Sequence, residues 1–316
     1  MSKVLVTGGS GFIGRRLCSK LLLSGRIIKK IVRRVNENDS TEQYLCNFGV
    51  DQVSESIFDN IETIFHLAGV THDVNTISIA DKIYYDVNVA ATEQLAIIAA
   101  KKGVKKFIYI SSVKAGGNPN SYKCMSEDDQ TEPEGIYGKT KRKAELKLLE
   151  IGRDTGMHVT IIRPSLVYGK GVKGNLHKML SGIKKGWFPP LPENGNRRSM
   201  VHVDNLVDAL LLVEVDKRSY GEIFIVTDEN NYSSNELYRS MSNYLDKKPK
   251  KWFVPDFIFK FAAKIGDFIN ILVPFPFNSY RYQKLLGDEC FTSKKIQNLL
   301  GFKPKRTIFS NSLDLF

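Results

Sequence analysis

The strand-forming run Val4-Leu5-Val6 passes straight into Thr7-Gly8-Gly9-Ser10-Gly11-Phe12-Ile13-Gly14, and an amphipathic stretch follows from Arg15. No other feature of the chain limits its fold so sharply. In a strand-turn-helix unit of this kind, Gly8 permits the tight turn. Gly11 lets backbone approach a pyrophosphate, and Gly14 lets the helix lie close on the strand. Unpaired amides at the positive end of the helix then hold the phosphates. Phe12 and Ile13, within the loop, join the glycines as candidate contacts of a dinucleotide.

The same alternation continues. Short β-branched runs stand at Ile27 to Val32, Thr63-Ile64-Phe65, Phe107 to Ile110 and Val159 to Ile162, with a later one at Glu222 to Thr227. Amphipathic stretches lie between them at Arg15 to Leu23, Ala90 to Lys102 and Lys139 to Gly152. Strands alternating with helices predict an α/β fold: a Rossmann-type, doubly wound parallel sheet with both faces covered. From Lys170 the rhythm breaks at Gly171, Gly174, Pro189-Pro190, Pro192 and Gly195. The expected organisation is a dinucleotide-binding domain over 1–169, rejoined by 200–228. A smaller C-terminal substrate-binding cap is expected from 170–199 and 229–316.

Net charge is +12, but the basic residues come in scattered pairs such as Lys29-Lys30, Arg33-Arg34 and Lys184-Lys185. Nucleic acid is therefore not the expected partner, and a dispersed positive field suits anionic small molecules better. Cys18, Cys46, Cys124 and Cys290 lie far apart, with no C-x-x-C and no histidine pair at ligand spacing. That predicts reduced thiols, no metal site and a cytoplasmic setting. The fold is expected to start at the first residues, without a leader. The stretch from Lys247 to Phe277 is basic, aromatic and partly amphipathic, a composition that suits an anionic membrane. It is read instead as a helix of the cap, and membrane association is set aside.

Tyr137-Gly138-Lys139-Thr140-Lys141 is Y-x-x-x-K, and on a helix that spacing puts Tyr137 and Lys141 on one face. Ser112 stands just after the Phe107 to Ile110 run, 25 residues before Tyr137. Together with the G-x-x-G-x-x-G loop, this Ser-Tyr-Lys order resembles the extended short-chain dehydrogenase/reductase superfamily, in its NAD-dependent epimerase/dehydratase branch. The resemblance spans essentially the whole chain, tightly to Asp204 and loosely beyond. It implies that Tyr137 exchanges a proton with a sugar carbinol while hydride moves to or from a nicotinamide. Lys141 would favour the phenolate and hold the nicotinamide ribose. Ser112 would hydrogen-bond the reacting sugar oxygen.

NAD-specific members place a carboxylate at the end of the second strand. Here Val32 is followed by Arg33 and Arg34, and no acid comes before Glu37. An arginine there can pair with a 2′-phosphate, so of NAD and NADP the latter is favoured. The resemblance further implies Asp51 facing adenine, with Leu67-Ala68-Gly69 and Pro164 along the cofactor. His66 is read as a packed histidine. Asn88 matches the family's helix-start asparagine, which steadies the sheet near the catalytic strand.

On the substrate side, Arg163 to Gly169 is similar to R-x-x-N-x-Y-G with Leu166 in place of the asparagine, so one polar sugar contact is lost. Val113 follows Ser112 in the implied substrate pocket. Asn175 and Arg198 match residues that hold a nucleotide diphosphate, and a guanidinium fork suits phosphate oxygens. A second diphosphate cation has no clear counterpart; Arg281 and Lys284 are the candidates. Family dehydratases follow the serine or threonine with Asp-Glu, where this chain has Val113-Lys114. Elimination is therefore disfavoured. The absence of an accompanying cysteine nucleophile likewise disfavours oxidation to a uronic acid.

The implied function is epimerisation at C4 of a UDP-hexose or UDP-N-acetylhexosamine through a 4-keto intermediate, in polysaccharide biosynthesis. Two other readings stay open. One is an NADPH-dependent reductase of a UDP-4-keto-6-deoxyhexosamine, using the same residues for half the cycle. The other is a non-catalytic NAD(P)-sensing protein. The family also implies a homodimer formed through the Ala90 to Lys102 and Lys139 to Gly152 helices.

Overall fold

The computed structural model describes residues 3–71, 77–118, 123–250, 252–310 and 315–316. β1 (Lys3–Thr7) leads through the glycine loop into α1 (Phe12–Leu23). There follow β2 (Ile27–Val32), β3 (Glu42–Leu45), β4 (Ile61–His66), α2 (Ile77–Tyr85), a π-helical turn (Asp86–Ala90), α3 (Ala91–Lys101), β5 (Lys106–Ile110) and the long α4 (Gly135–Thr155). Next come β6 (His158–Pro164), β7 (Leu166–Tyr168), α5 (Gly174–Lys185), β8 (Arg198–His202), α6 (Val203–Val215), β9 (Ile223–Val226) and β10 (Asn231–Tyr232). The helices α7 (Ser234–Tyr244), α8 (Asp256–Ile269), α9 (Ser279–Leu286) and α10 (Lys294–Leu300) close the chain.

Seven strands form one parallel sheet in the order β3-β2-β1-β4-β5-β6-β9. This is the doubly wound arrangement expected from the alternating runs. The central strands are near-continuous apolar runs because both faces are covered. Val4 and Val6 face a core built with α1 and α6, whereas Leu5 faces one built with α3 and α4. Chain order reverses between β1 and β4, so the carboxyl ends of those strands open a crevice. Thr7, Gly8, His66 and Gly69 all sit there.

The smaller sheet, β10-β8-β7, divides two cores. Along β8, Val201 packs into the core of the large sheet, while its neighbour Met200 packs with Tyr168, Tyr232 and Tyr238 in a separate apolar cluster. The period of two in a strand makes this one segment serve both sides. Residues of α5, α7, α8 and α9 complete the second cluster.

One expectation is corrected. Cys124 and Cys290 are joined by a disulfide, their Cα atoms 4.4 Å apart, and Cys18 and Cys46 alone are free and buried. The pair is 166 residues apart in sequence, so spacing rules that look for local pairs pass over it. Around it, Met125 bridges Phe291 and Arg198 bridges Glu289, which lays segment 289–291 beside both Met125 and β8.

Candidate active site

The glycine loop has the geometry a pyrophosphate requires. Gly8 has φ +69°, and a Cβ there would meet Ala68 N at 2.8 Å. A Cβ on Gly14 would come within 2.2 Å of Gly8 O, and one on Gly11 within 3.1 Å of the same oxygen. The turn is closed by Gly11 N donating to Gly8 O at 2.9 Å. Neither N-cap side chain nor first-turn acid competes for the opening amides of α1. These residues therefore fit a bound dinucleotide. Ile13 packs into the core of the large sheet, and Phe12 reaches the cap cluster, so the loop is held from both sides.

From this loop the cradle runs on without a break. Thr7 Oγ1 accepts from Ala68 N at 3.2 Å and lies 2.6 Å from His66 Nδ1, whose Nε2 is 2.8 Å from Thr92 Oγ1. Burial, helped by Lys141, holds His66 at about 3, so it is a neutral packing residue. A Cβ on Gly69 would meet Asn88 Oδ1 at 3.0 Å and Lys141 Nζ at 3.9 Å. Asn88 sits in the π-helical turn, accepts from Val70 N at 2.8 Å and donates to Thr140 Oγ1 at 3.3 Å. It thus ties the β4 loop to α4, one residue from Lys141. A π-turn at a functional site is a common use of that strain.

Ser112, Tyr137 and Lys141 converge at the far end of the cradle. Ser112 caps the short helical turn Val113–Gly116 by accepting from Lys114 N at 3.2 Å. Gly138 lets α4 press on this turn, since a Cβ there would stand 2.6 Å from Lys114 O. Tyr137 lies in the first turn of α4, its ring edge-on to Tyr84 at 6.4 Å. Burial raises its phenol to about 12, and the facing Ser112 hydroxyl works in the opposite direction. Lys141 is buried, donates to Ile110 O at 2.6 Å and lies 4.1 Å above the Tyr109 ring. The expected acidification of the phenol by this ammonium is not met in the protein alone. The lysine is engaged by a carbonyl and a ring face, and burial sets the tyrosine.

Burial lowers Lys141 from 10.5 to about 7, against the pull of Glu145. Glu145 forms a fully buried pair with Arg163 at 2.6 Å that ties α4 to β6. Between pH 7 and 10.5 the unfolded chain keeps the lysine proton and the folded chain releases it, so stability rises with pH across that window. Lys141→Met is expected to flatten this slope and to stabilise the protein at pH 7 by about 2 kcal/mol while removing activity. Urea unfolding at several pH values reads both effects.

Other expected residues fall differently. Arg33 and Arg34 are exposed beyond β2, and Asp39 is paired to buried Lys30 at 2.7 Å. Asp51 stands beyond the end of β3, where its carboxylate accepts from Asn47 N at 2.7 Å and so stabilises a turn. Val113 packs its side chain with Met125, Ile225 and Phe291. Pro164 is buried at the end of β6, and Leu166 is exposed at the start of β7. Asn175 is exposed in the first turn of α5. Arg198 is buried against Glu289 at 3.2 Å, and Glu289 also holds Lys114 at 2.7 Å. Burial alone would raise Glu289, but Lys114 and Arg198 outweigh it and hold it below the ordinary carboxylate range. Of the two further cations, Lys284 lies in the electrostatic reach of Glu289, whereas Arg281 turns to the Pro276 carbonyl.

His202 caps α6 through Asp204 N at 3.2 Å, and Asp204 pairs with Arg16 of α1. Asn205 carries the rest of this anchor, donating to Asp228 at 2.6 Å and to Arg306 O at 2.7 Å. Sequence reasoning passed over Glu289, Gly138 and Asn205. Glu289 could be found only by knowing that the last strand-like segment folds back onto Arg198.

Residues 4–226 match the family model described as the NAD dependent epimerase/dehydratase family. The chain belongs to that family. It is an NAD-dependent enzyme of the extended short-chain dehydrogenase/reductase type. It is 32% identical to a UDP-glucose 4-epimerase of Vibrio cholerae, across 96% of this chain and 92% of that protein. It is 27% identical to the N-acetyl-alpha-D-glucosaminyl-diphospho-ditrans,octacis-undecaprenol 4-epimerase of Escherichia coli O157:H7, across 98% and 93%. The solved UDP-glucuronic acid 4-epimerase of Bacillus cereus, in complex with UDP-glucuronic acid and NAD, superposes with a TM-score of 0.75 at 19% identity, over 97% of this chain and 95% of that one.

Proposed function

We propose that the protein is a nucleotide-sugar epimerase that inverts C4 of a UDP-hexose or UDP-N-acetylhexosamine through a 4-keto intermediate. The observation that carries this reading is the convergence of Ser112, Tyr137 and Lys141 at the end of a continuous dinucleotide cradle. When bound, the dinucleotide supplies the hydride acceptor, and the positive charge of its oxidised ring favours the phenolate. Tyr137 then takes the O4 proton, with Ser112 holding the sugar oxygen in line. Lys141, fixed by Ile110 O, steadies the ribose side and the phenolate. After the ketone turns in the pocket, C4 would regain the same hydride on its other face while Tyr137 returns the proton to O4. Val113-Lys114 puts no carboxylate where elimination would need one, and Lys114 is held by Glu289.

Arg198 and Lys114, bridged by Glu289, support recognition of the diphosphate. Asn175, at the start of α5, which no side chain caps, supports it as well. The arginines beyond β2 support a preference for NADP, since a guanidinium fork matches a 2′-phosphate. Arg33→Asp is expected to shift the ratio of NADP to NAD affinity by about tenfold or more toward NAD, as read by calorimetric titration. Exposed Ile97 on α3 and Leu146 on α4 support a homodimer through those helices.

The test is turnover without added cofactor. An epimerase interconverts the C4 epimers of its UDP-sugar using dinucleotide that it carries through purification. The exposed Leu166 and Arg33 favour one rival, an NADPH-dependent 4-keto reductase. It would instead consume NADPH in proportion to product and leave the 4-hydroxy sugars untouched.

A further inference from the structure

The face of α8 that carries Phe257, Phe261 and Phe268 points outward, these side chains being 69%, 66% and 70% exposed. The opposite face is committed to the fold. Phe259 and Ala263 are buried in the cap cluster, and a Cβ on Gly266 would stand 1.8 Å from the Phe277 carbonyl. The helix therefore cannot roll its aromatic rings inward. Ile271 and Leu272, just beyond its end, extend the apolar surface at 75% and 80% exposure.

The charge around this face is one-sided. From Lys247 to Lys284 the sequence has eight basic residues and two acids. Both acids are already used: Asp256 pairs with Lys260 at 2.8 Å and accepts from Tyr282, and Asp267 accepts from Ser279 N at 3.1 Å. Lys264 stands exposed on α8 itself, and Lys248 and Lys250 are exposed in the segment that leads into the helix. Lys250 lies 5.2 Å from the ring of exposed Trp252. An apolar, aromatic stripe rimmed by lysines complements an anionic interface, with rings at acyl depth and ammonium groups among the phosphates. At 14 residues α8 is too short to span a bilayer, and no helix among the described residues is long and apolar enough to do so.

We propose that α8 and its flanks form a docking surface for an anionic phospholipid membrane, on which the protein rests peripherally. The proposal stands apart from the identity of the sugar and from the direction of hydride flow. It replaces the expectation of a wholly internal cap helix. The implied dimer face, on α3 and α4, belongs to other elements and leaves this surface uncovered.

Co-sedimentation of the full chain with sucrose-loaded vesicles tests it. The protein is expected to pellet with phosphatidylglycerol–phosphatidylethanolamine vesicles at low salt and to stay in solution with phosphatidylcholine alone. Trp252 emission should shift to the blue only with the anionic vesicles. Phe261→Glu combined with Phe268→Glu should lower partitioning about tenfold or more, and Lys264→Glu with Lys248→Glu by a similar factor. Both variants should keep the circular dichroism and the thermal shift produced by dinucleotide. Failure to pellet with anionic vesicles at low salt, or equal pelleting with both compositions, would overturn the proposal. So would a fall in molar mass of the phenylalanine variant by light scattering with vesicle partitioning unchanged, which would assign the face to a second copy.

Discussion

Tyr137→Phe is expected to reduce turnover by about 10³- to 10⁴-fold while leaving stability and dinucleotide affinity close to those of the parent. The substitution removes one oxygen from a half-buried ring and keeps its edge contact with Tyr84. What it removes chemically is the group that the proposed mechanism uses to exchange a proton with O4. Because burial holds the phenol at about 12 in the protein alone, the parent should also lose activity as pH falls, through the protonation of a tyrosine that cofactor charge has made acidic. The variant should lack that limb of the profile. Steady-state rates for both proteins over a range of pH give the comparison. A variant retaining a tenth of the parent's rate would remove Tyr137 from the mechanism.

The second large effect is expected at Gly14. A Cβ there would lie 2.2 Å from Gly8 O, 2.7 Å from Gly9 Cα and 2.9 Å from Gly8 C. All three are backbone atoms of the glycine turn proposed to hold the pyrophosphate, so no side chain can yield to relieve the clash. Gly14→Ala should open the loop, cost about 2–4 kcal/mol of stability and weaken dinucleotide binding by about two orders of magnitude or more. Gly25→Ala is the matched control. Gly25 has φ +75° and nothing within 4 Å of a built Cβ. It should cost about 1 kcal/mol in backbone strain and leave the cofactor site alone. Denaturant unfolding and cofactor content of the purified proteins separate the two cases.

These effects could be anticipated because the residues involved are local in sequence. The glycine loop and Y-x-x-x-K each lie within one turn of chain, and the strands β1, β2, β4, β5 and β6 are apolar runs that mark themselves. β3 escaped because Glu42–Leu45 is a polar, half-exposed edge strand with no such run. The Cys124–Cys290 bond and the Lys114–Glu289–Arg198 cluster escaped for another reason. Each joins residues more than 90 positions apart, and periodicity carries no information about such meetings. Asp51 illustrates a third limit: its residue type was legible, but the bond its carboxylate accepts from Asn47 N in the fold was not. Tyr137 and Lys141 show the same limit in energetic form. Their shared face was legible, but the burial that raises the phenol and lowers the ammonium was not.

The central claim is that one hydride leaves C4 and returns to C4 of the same sugar while Tyr137 handles the proton. A UDP-hexose carrying deuterium at C4, converted by the enzyme and examined by NMR, tests it most directly. The product epimer should retain its deuterium at C4 in full, with none released to water or to added dinucleotide. Deuterium lost to solvent, or transferred in proportion to product onto exogenous NADP, would contradict it.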